Sequence, residues 1–280
     1  MSNSTTKAIV PNTPNEPSMT DLGGALLAEA GHHVAKHTPA ESTVADGLCA
    51  AFEGSLISLG HKLQQFPRHT RRQDIARFLV KYELFKESLQ VNGSVVECGV
   101  FVGGGLSAWL HFSSILEPYN HTRRIIGFDT FEGFPSVHER DLLPDASEHT
   151  HVGAFKAADN MKQEIESFMA LHDRNRPLGH IPKVELVAGD ATKTIPEYVQ
   201  KNPHAIISLM YLDFDIYEPT RVALEHLYPR VVKGGIVAFD ELNTREFPGE
   251  TSALAETIGI GNVRLRRSTM DPYISYFVKE

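Results

Sequence analysis

Apolar positions along this chain follow two rhythms. Between residues 70 and 90, Ile75, Phe78, Leu79, Tyr82, Phe85 and Leu89 recur at spacings of three and four, which predicts an amphipathic helix with one apolar face. Residues 42–64 carry a similar period, and an Ala/Leu-rich stretch over 22–34 predicts a further helix. After Asn92-Gly93 the rhythm changes to short continuous apolar runs separated by helical stretches. The runs at 95–100, 124–129, 183–190, 206–215 and 236–241 predict strands; those at 106–116, 157–172 and 219–232 predict helices. The segment VRLRRSTMDPYISYFVKE predicts two last strands joined around Asp271-Pro272. Strands alternating with helices predict an α/β fold: a doubly wound, mainly parallel sheet with an antiparallel C-terminal hairpin, plus N-terminal helices. The chain then divides into a flexible Ser/Thr/Asn/Pro-rich tail (1–20), a helical layer (21–90) and a sheet domain (91–280). The sheet domain carries a polar, His-containing, lid-like insertion at 136–182.

Composition narrows the partners. A net charge of -8 disfavours nucleic acid and anionic membrane surfaces, and points to a small-molecule partner. No apolar run approaches the ~18–20 residues of a membrane span. The N-terminal segment lacks the basic start and apolar stretch of a secretory signal, so a cytoplasmic location is expected. Two cysteines make no disulfide framework, and Cys98, inside an apolar run, reads as a buried reduced thiol. Apolar faces on the N-terminal helices favour a homo-oligomer.

In a doubly wound sheet, ligands bind beyond the carboxyl ends of the strands. The first run ends in Glu97-Cys98-Gly99-Val100-Phe101-Val102-Gly103-Gly104-Gly105. Glycines here permit a tight turn and close approach of backbone amides to a ligand. The run does not match the G-x-G-x-x-G of nicotinamide enzymes, and its acidic residue suits a cationic amino-acid ligand. Asp129, in Asp129-Thr130-Phe131, can accept both hydrogen bonds of a ribose diol or cap a following helix. Asp190, before Ala191, can accept from an adenine amino group or, again, cap a helix. Together the three ends describe a pocket for an adenosine that carries a positive group.

A second constellation ends the fourth and fifth runs: Asp213 and Asp215, then Asp240 and Glu241. Four neighbouring carboxylates repel unless a proton or cation sits among them, and oxygen donors suit Mg²⁺, Mn²⁺ or Ca²⁺. The alternative is solvated carboxylates at loop starts or helix caps. Extended geometry through 215 would put Asp213 and Asp215 on one side.

These segments resemble the macrocin O-methyltransferase family. The resemblance spans roughly residues 68–245 and rests on Val96-Glu97-Cys98-Gly99-Val100-Phe101-Val102-Gly103-Gly104, Asp129-Thr130-Phe131-Glu132-Gly133-Phe134-Pro135, Leu212-Asp213-Phe214-Asp215-Ile216-Tyr217 and Phe239-Asp240-Glu241. It implies a Rossmann-like methyltransferase sheet and O-methylation of a sugar or other natural-product hydroxyl. It also implies S-adenosylmethionine held by Glu97, Gly99, Asp129 and the Gly103-Gly104 turn. Thr130 and Phe131 beside Asp129 join the expected cofactor site, as do Asp190 and Ala191 from the third strand end, where the segment is closer to generic methyltransferases than to this family. A divalent cation, Mg²⁺ or a similar ion, is implied at Asp213, Asp240 and Glu241, with Asp213 or Asp215 taking the acceptor's proton. The family pattern is Asp-Gly-Asp where this chain has Asp213-Phe214-Asp215, and Asp-Asp-Tyr where it has Asp240-Glu241-Leu242. Three histidines of the insertion, His138, His149 and His151, are alternative bases. Rival readings are a metal-independent N- or carboxyl-methyltransferase, a non-catalytic cofactor-binding subunit and a nicotinamide-dependent oxidoreductase.

Overall fold

The computed structural model describes residues 39–144 and 146–280, and the expected tail and the helix over 22–34 lie outside the described residues. The chain divides into two compact units between Arg71 and Arg72. In the first, the helix expected over 42–64 is two: α1 (Pro39–Gly54) and α2 (Leu59–Gln64). Gly54 ends one, and Ser58 in extended conformation caps the next, its hydroxyl accepting the His61 amide at 3.4 Å. The buried Lys62 ammonium donates back to the Phe52 carbonyl.

The second unit opens with α3 (Arg72–Ser88) and runs through β1 (Ser94–Cys98), α4 (Gly104–Leu116), β2 (Ile125–Asp129), α5 (Met161–Asp173), β3 (Val184–Ala188) and α6 (Ala191–Lys201). It continues with β4 (Ile207–Leu212), α7 (Tyr217–His226), β5 (Val231–Phe239), α8 (Gly249–Thr257), β6 (Arg266–Arg267) and β7 (Ser275–Val278). The strands form one sheet in the order β3-β2-β1-β4-β5-β7-β6. Strands β1 to β5 pair in parallel, while β7 is antiparallel to both β5 and β6, as the two terminal runs predicted. No described helix is long and apolar enough to cross a membrane.

Alternation along the strands sorts the core into two layers. Val96, Cys98, Met210, Leu212, Val237 and Phe239 pack with Ile195 of α6, Leu224 of α7 and Leu254 of α8. Val95, Leu209, Tyr211, Ile236 and Ala238 pack on the other side with Leu84 and Phe85 of α3 and Trp109 and Phe112 of α4. Burying several such side chains at ~1.5–3 kcal/mol each is what holds the helices to the sheet. Cys98 is a buried free thiol, as expected.

Four helices differ from expectation. The buried side of α3 is Val80, Lys81, Leu84, Phe85 and Ser88, whereas Phe78 and Leu79 are exposed. The buried stripe contains a lysine, so apolar periodicity alone pointed to a rotated face. The helix expected over 219–232 stops at His226, because Pro229 lies in a tight turn, Tyr228–Arg230, that feeds directly into β5. Helices α6 and α8 were not foreseen; Pro196 inside α6 masks its period.

Candidate active site

Strand β1 pairs with β2 on one side and β4 on the other, so the direction of winding reverses between β1 and β4. That is where a doubly wound sheet opens a crevice. The five parallel strands end in one row. Gly99 donates its amide to the Phe128 carbonyl (2.9 Å), Asp213 to Cys98 (2.8 Å), Asp240 to Leu212 (2.9 Å) and Gly189 to Asp129 (2.8 Å). Asp129, Asp213 and Asp240 therefore stand along one edge of the sheet, with Glu97 on β1 directly behind it. Gly99 is the hinge between the halves of this row. Its φ is 96°, and a Cβ there would lie 1.9 Å from the Asp213 carbonyl oxygen, so only glycine fits.

On the β1–β2 side the loop is held by Asp129. One carboxylate oxygen accepts the amides of Val100 (2.7 Å) and Phe101 (2.8 Å), and the other accepts that of Phe131 (2.6 Å). A carboxylate offers about four acceptor positions; three are in use, leaving a ribose one position where two were expected. Thr130 and Phe131 shape the turn: the Thr130 hydroxyl donates to the Gly133 carbonyl at 2.7 Å, and the Phe131 side chain is buried in the core. Gly103 is the N-cap of α4 with no side-chain cap, and Gly104 is exposed, so the helix presents its amide end at the rim. Asp190 is the N-cap of α6, accepting from the Thr192 amide (3.0 Å) and hydroxyl (2.7 Å), with Ala191 buried behind it. Burial alone would push the Asp190 carboxyl up, but Thr192 and Lys193 outweigh it and hold the group below its usual value.

Glu97 points into the layer shared with α3 and α4, since it alternates with Val95. It is 2% exposed, its Oε2 has no hydrogen-bond partner, and a Cβ on Gly105 would meet its Oε1 at 1.7 Å. Burial raises its pKa to about 8, against the pull of the Lys81 ammonium 3.8 Å away. Lys81 in turn lies 3.5 Å from the centre of the Tyr211 ring.

Beyond β4 the expectation of continued extension fails. The strand ends at Leu212, and Asp215 sits at φ 62° in a three-residue turn closed by Ile216 N–H to Phe214 C=O at 2.7 Å. Asp213 and Asp215 are therefore not related by strand alternation; a turn brings Asp215 under cover instead. It is 7% exposed, with Oδ1 buried and unpartnered. Burial, then repulsion from Glu241, Asp213, Glu250 and Asp240, drives its carboxyl well above the usual range. Glu250 on α8, absent from the expected set, is fully buried and raised for the same reasons, with one oxygen accepting the Glu241 amide at 3.3 Å.

The expected divalent-ion ligands do not form a ligand set. Among the described residues no three His, Cys, Asp or Glu side chains converge in a way that could hold a metal ion. Asp240 shows why: Arg77 of α3 places Nη1 2.8 Å from one of its oxygens, and the Tyr211 hydroxyl donates to the other. Burial works against the Arg77 charge, but Asp240, Tyr211, Asp213 and Asp271 more than compensate and raise its pKa.

The insertion contributes one residue that sequence reasoning missed. Asp141 is 1% exposed and accepts the Tyr217 amide (2.7 Å) at the start of α7 and the His138 amide (2.9 Å). It thus anchors the insertion two residues beyond Asp215. Phe134, Ala154 and Ile216 form a small core there with Phe155. The signal was obscure because Asp141 resembles any loop aspartate until α7 supplies its partner. The three insertion histidines are otherwise engaged or exposed: His138 accepts the Arg140 amide and lies against Tyr217, His149 lies against Phe155, and His151 is exposed.

A sheet of this order, with a glycine loop after its first strand and carboxylates along its rim, defines a Rossmann-like methyltransferase. Residues 81–253 match the family model described as Macrocin-O-methyltransferase (TylF), and the chain belongs to that family. It is similar to the crystal structure of CalS11, a calicheamicin methyltransferase, with 32% identity and a TM-score of 0.83 over 86% of this chain and 93% of that one. The apo structure of CalS11, described as a TDP-rhamnose 3'-O-methyltransferase, aligns at 30% identity and a TM-score of 0.76 over 86% and 95%. Among curated relatives, a tetracenomycin rhamnosyl 4'-O-methyltransferase of Streptomyces olivaceus is 31% identical over 156 residues, 54% of this chain and 53% of the relative. Mycinamicin III 3''-O-methyltransferase of Micromonospora griseorubida is 28% identical over 152 residues, 54% and 56%. The chain thus spans about half the length of these two curated relatives.

Proposed function

We propose that this protein transfers a methyl group from S-adenosylmethionine to a sugar hydroxyl of a small natural product or of its nucleotide-linked precursor. The observation that carries the reading is the single row formed by Gly99, Asp129, Asp213 and Asp240 at the winding reversal, within the region matched by the family. The sugar acceptor is supported by the sugar O-methyltransferase activities of CalS11 and the two curated relatives.

The cofactor supplies a methyl group already made electrophilic by its sulfonium. The unpartnered buried oxygen of Glu97 and the uncapped amide end of α4 at Gly103-Gly104 fit its ammonium and carboxylate. Asp129, with Thr130 and Phe131 shaping its turn, serves the ribose side, and Asp190 with Ala191 the adenine side. Asp215 is the base we favour: a buried carboxylate with raised proton affinity takes the hydroxyl proton as the new C–O bond forms. Asp213, directly after the end of β4, is the alternative acceptor. The apolar group of Phe134, Ala154 and Ile216 beside Asp215 keeps water from competing for the base. The free cysteines fit a reducing, cytoplasmic setting. The exposed Leu56, Leu59, Leu63 and Phe66 fit a homo-oligomer.

The test is an assay with methyl-labelled S-adenosylmethionine against a panel of TDP-linked deoxyhexoses and glycosylated aglycones, read by mass spectrometry and NMR. Label is expected in a sugar methoxyl group. Transfer only to an amine or carboxylate would overturn the acceptor, and cofactor binding with no transfer to any acceptor would overturn catalysis.

A further inference from the structure

Helix α3 brings two cations to the acidic rim from one face, one helical turn apart: Arg77 and Lys81. Tyr211 of β4 joins them, its ring lying under the Lys81 ammonium and its hydroxyl donating to Asp240. Arg77 is gripped from two directions. Its Nη1 is 2.8 Å from Asp240, and its Nε is 3.4 Å from Asp271, in the turn between β6 and β7. Asp271 is itself fixed, its other oxygen accepting the Tyr273 amide at 3.0 Å. A guanidinium presents a rigid planar fork and does not lose its charge. Here it is oriented against a fully buried carboxylate that the family resemblance assigns to a metal.

We propose that Arg77 is a positioning residue of this site and its resident counter-cation. It fixes Asp240 and supplies at the end of β5 the positive charge that a divalent ion supplies in a metal-assisted enzyme. The neighbouring carboxylates crowd this rim: Asp213, Asp240 and Glu241 each raise the proton affinity of both Asp215 and Glu250. An incoming divalent ion would have to displace the guanidinium from Asp240 or settle beside a like charge. Removing Arg77 takes away the cation that stands 2.8 Å from the buried Asp240 carboxylate, and a free cation can then take its place.

The experiment is a titration of the full chain with Mn²⁺, following the electron paramagnetic resonance signal of the free aqua ion. It needs no acceptor and no turnover, so it stands even if the sugar-methylation reading fails. Wild type and Arg77→Lys, which keeps the cation, are expected to leave the ion free. Arg77→Met is expected to take up one ion per chain, roughly tenfold or more tighter than wild type. Tyr211→Phe removes a hydrogen bond to Asp240 but no charge, and should behave as wild type; uptake equal to that of Arg77→Met would overturn the proposal. So would Mn²⁺ uptake by wild type that Asp240→Asn abolishes, or a folded Arg77→Met with an unchanged titration curve. If Arg77→Met does not fold, the wild-type and Asp240→Asn titrations decide alone. In the methylation assay, Arg77→Met is expected to become Mn²⁺-stimulated while wild type is not; the reverse pattern would overturn the proposal.

Discussion

The two halves of the rim are built from different materials. Around β1 and β2, backbone does the holding: three amides converge on Asp129, and the loop is shaped by glycines and by the Thr130 turn. Around β4 and β5, charge does it: buried carboxylates are balanced by cations reaching in from α3. On the proposed function, the first half is a mould for the cofactor, a ligand whose form does not vary. The second is an electrostatic device, in which proton affinities depend on neighbours drawn from four separate elements. The difference teaches that the first half should fail by losing shape and the second by losing or misplacing charge.

The sharpest break between the halves is Asp215→Asn. On the proposed function, this removes the base while leaving the glycine loop intact, and should lower kcat by roughly 10²- to 10⁴-fold. S-adenosylhomocysteine affinity should stay within about twofold by calorimetry; a cofactor defect as large as the kinetic one would erase the division. Asp129→Ala is the mirror experiment. It deletes three hydrogen bonds to a charged acceptor, each typically worth ~1.5–3 kcal/mol, and should weaken S-adenosylhomocysteine binding by roughly 10- to 100-fold. Unchanged affinity would show that the loop keeps its shape without its carboxylate.

Glu97 lies between the halves and tests charge without chemistry. With its folded-state pKa raised from 4.5 to about 8, chiefly by burial and despite Lys81, the folded protein holds a proton there that the unfolded chain has released. Its contribution to stability is therefore present at low pH and lost as pH rises through that window, at about 1.4 kcal/mol per unit. Glu97→Gln should flatten the fall in Tm between pH 5 and 8 in ligand-free protein. Curves that stay parallel to wild type would mean Glu97 is already ionised in the folded state. The smallest effect belongs to Asp190→Ala, which removes the α6 cap at a cost of about 1 kcal/mol, or roughly 2–4 °C in Tm for a unit this size. A loss of cofactor affinity matching that of Asp129→Ala would give Asp190 a much larger share of binding than capping implies.

Legibility in the sequence followed the same division. The glycine loop, Asp129 and the paired aspartates are local motifs, and strand alternation with a terminal hairpin was visible from apolar runs alone. What the sequence hid were partners brought from afar. No local motif marks Lys81, whose partners Glu97 and Tyr211 come from β1 and β4, or Asp141, whose partner is the Tyr217 amide of α7. Arg77 and Asp271 are separated by 194 residues. The family resemblance implies a metal at Asp240, and no local motif announces the Arg77 guanidinium that reaches it from α3. The strand after 212 failed as an expectation because Asp is one of the few non-glycine residues that tolerate the left-handed conformation found at Asp215.

That 194-residue reach has a consequence for how the enzyme comes into being. At roughly 5–20 residues per second of translation, Arg77 leaves the ribosome about 10–40 s before Asp271 exists to clasp it. During that interval the nascent sheet carries a crowded negative edge whose clamp is still half open. The Arg77 clamp on the charged half of the rim is thus complete only once β6 and β7 have joined the sheet beside β5.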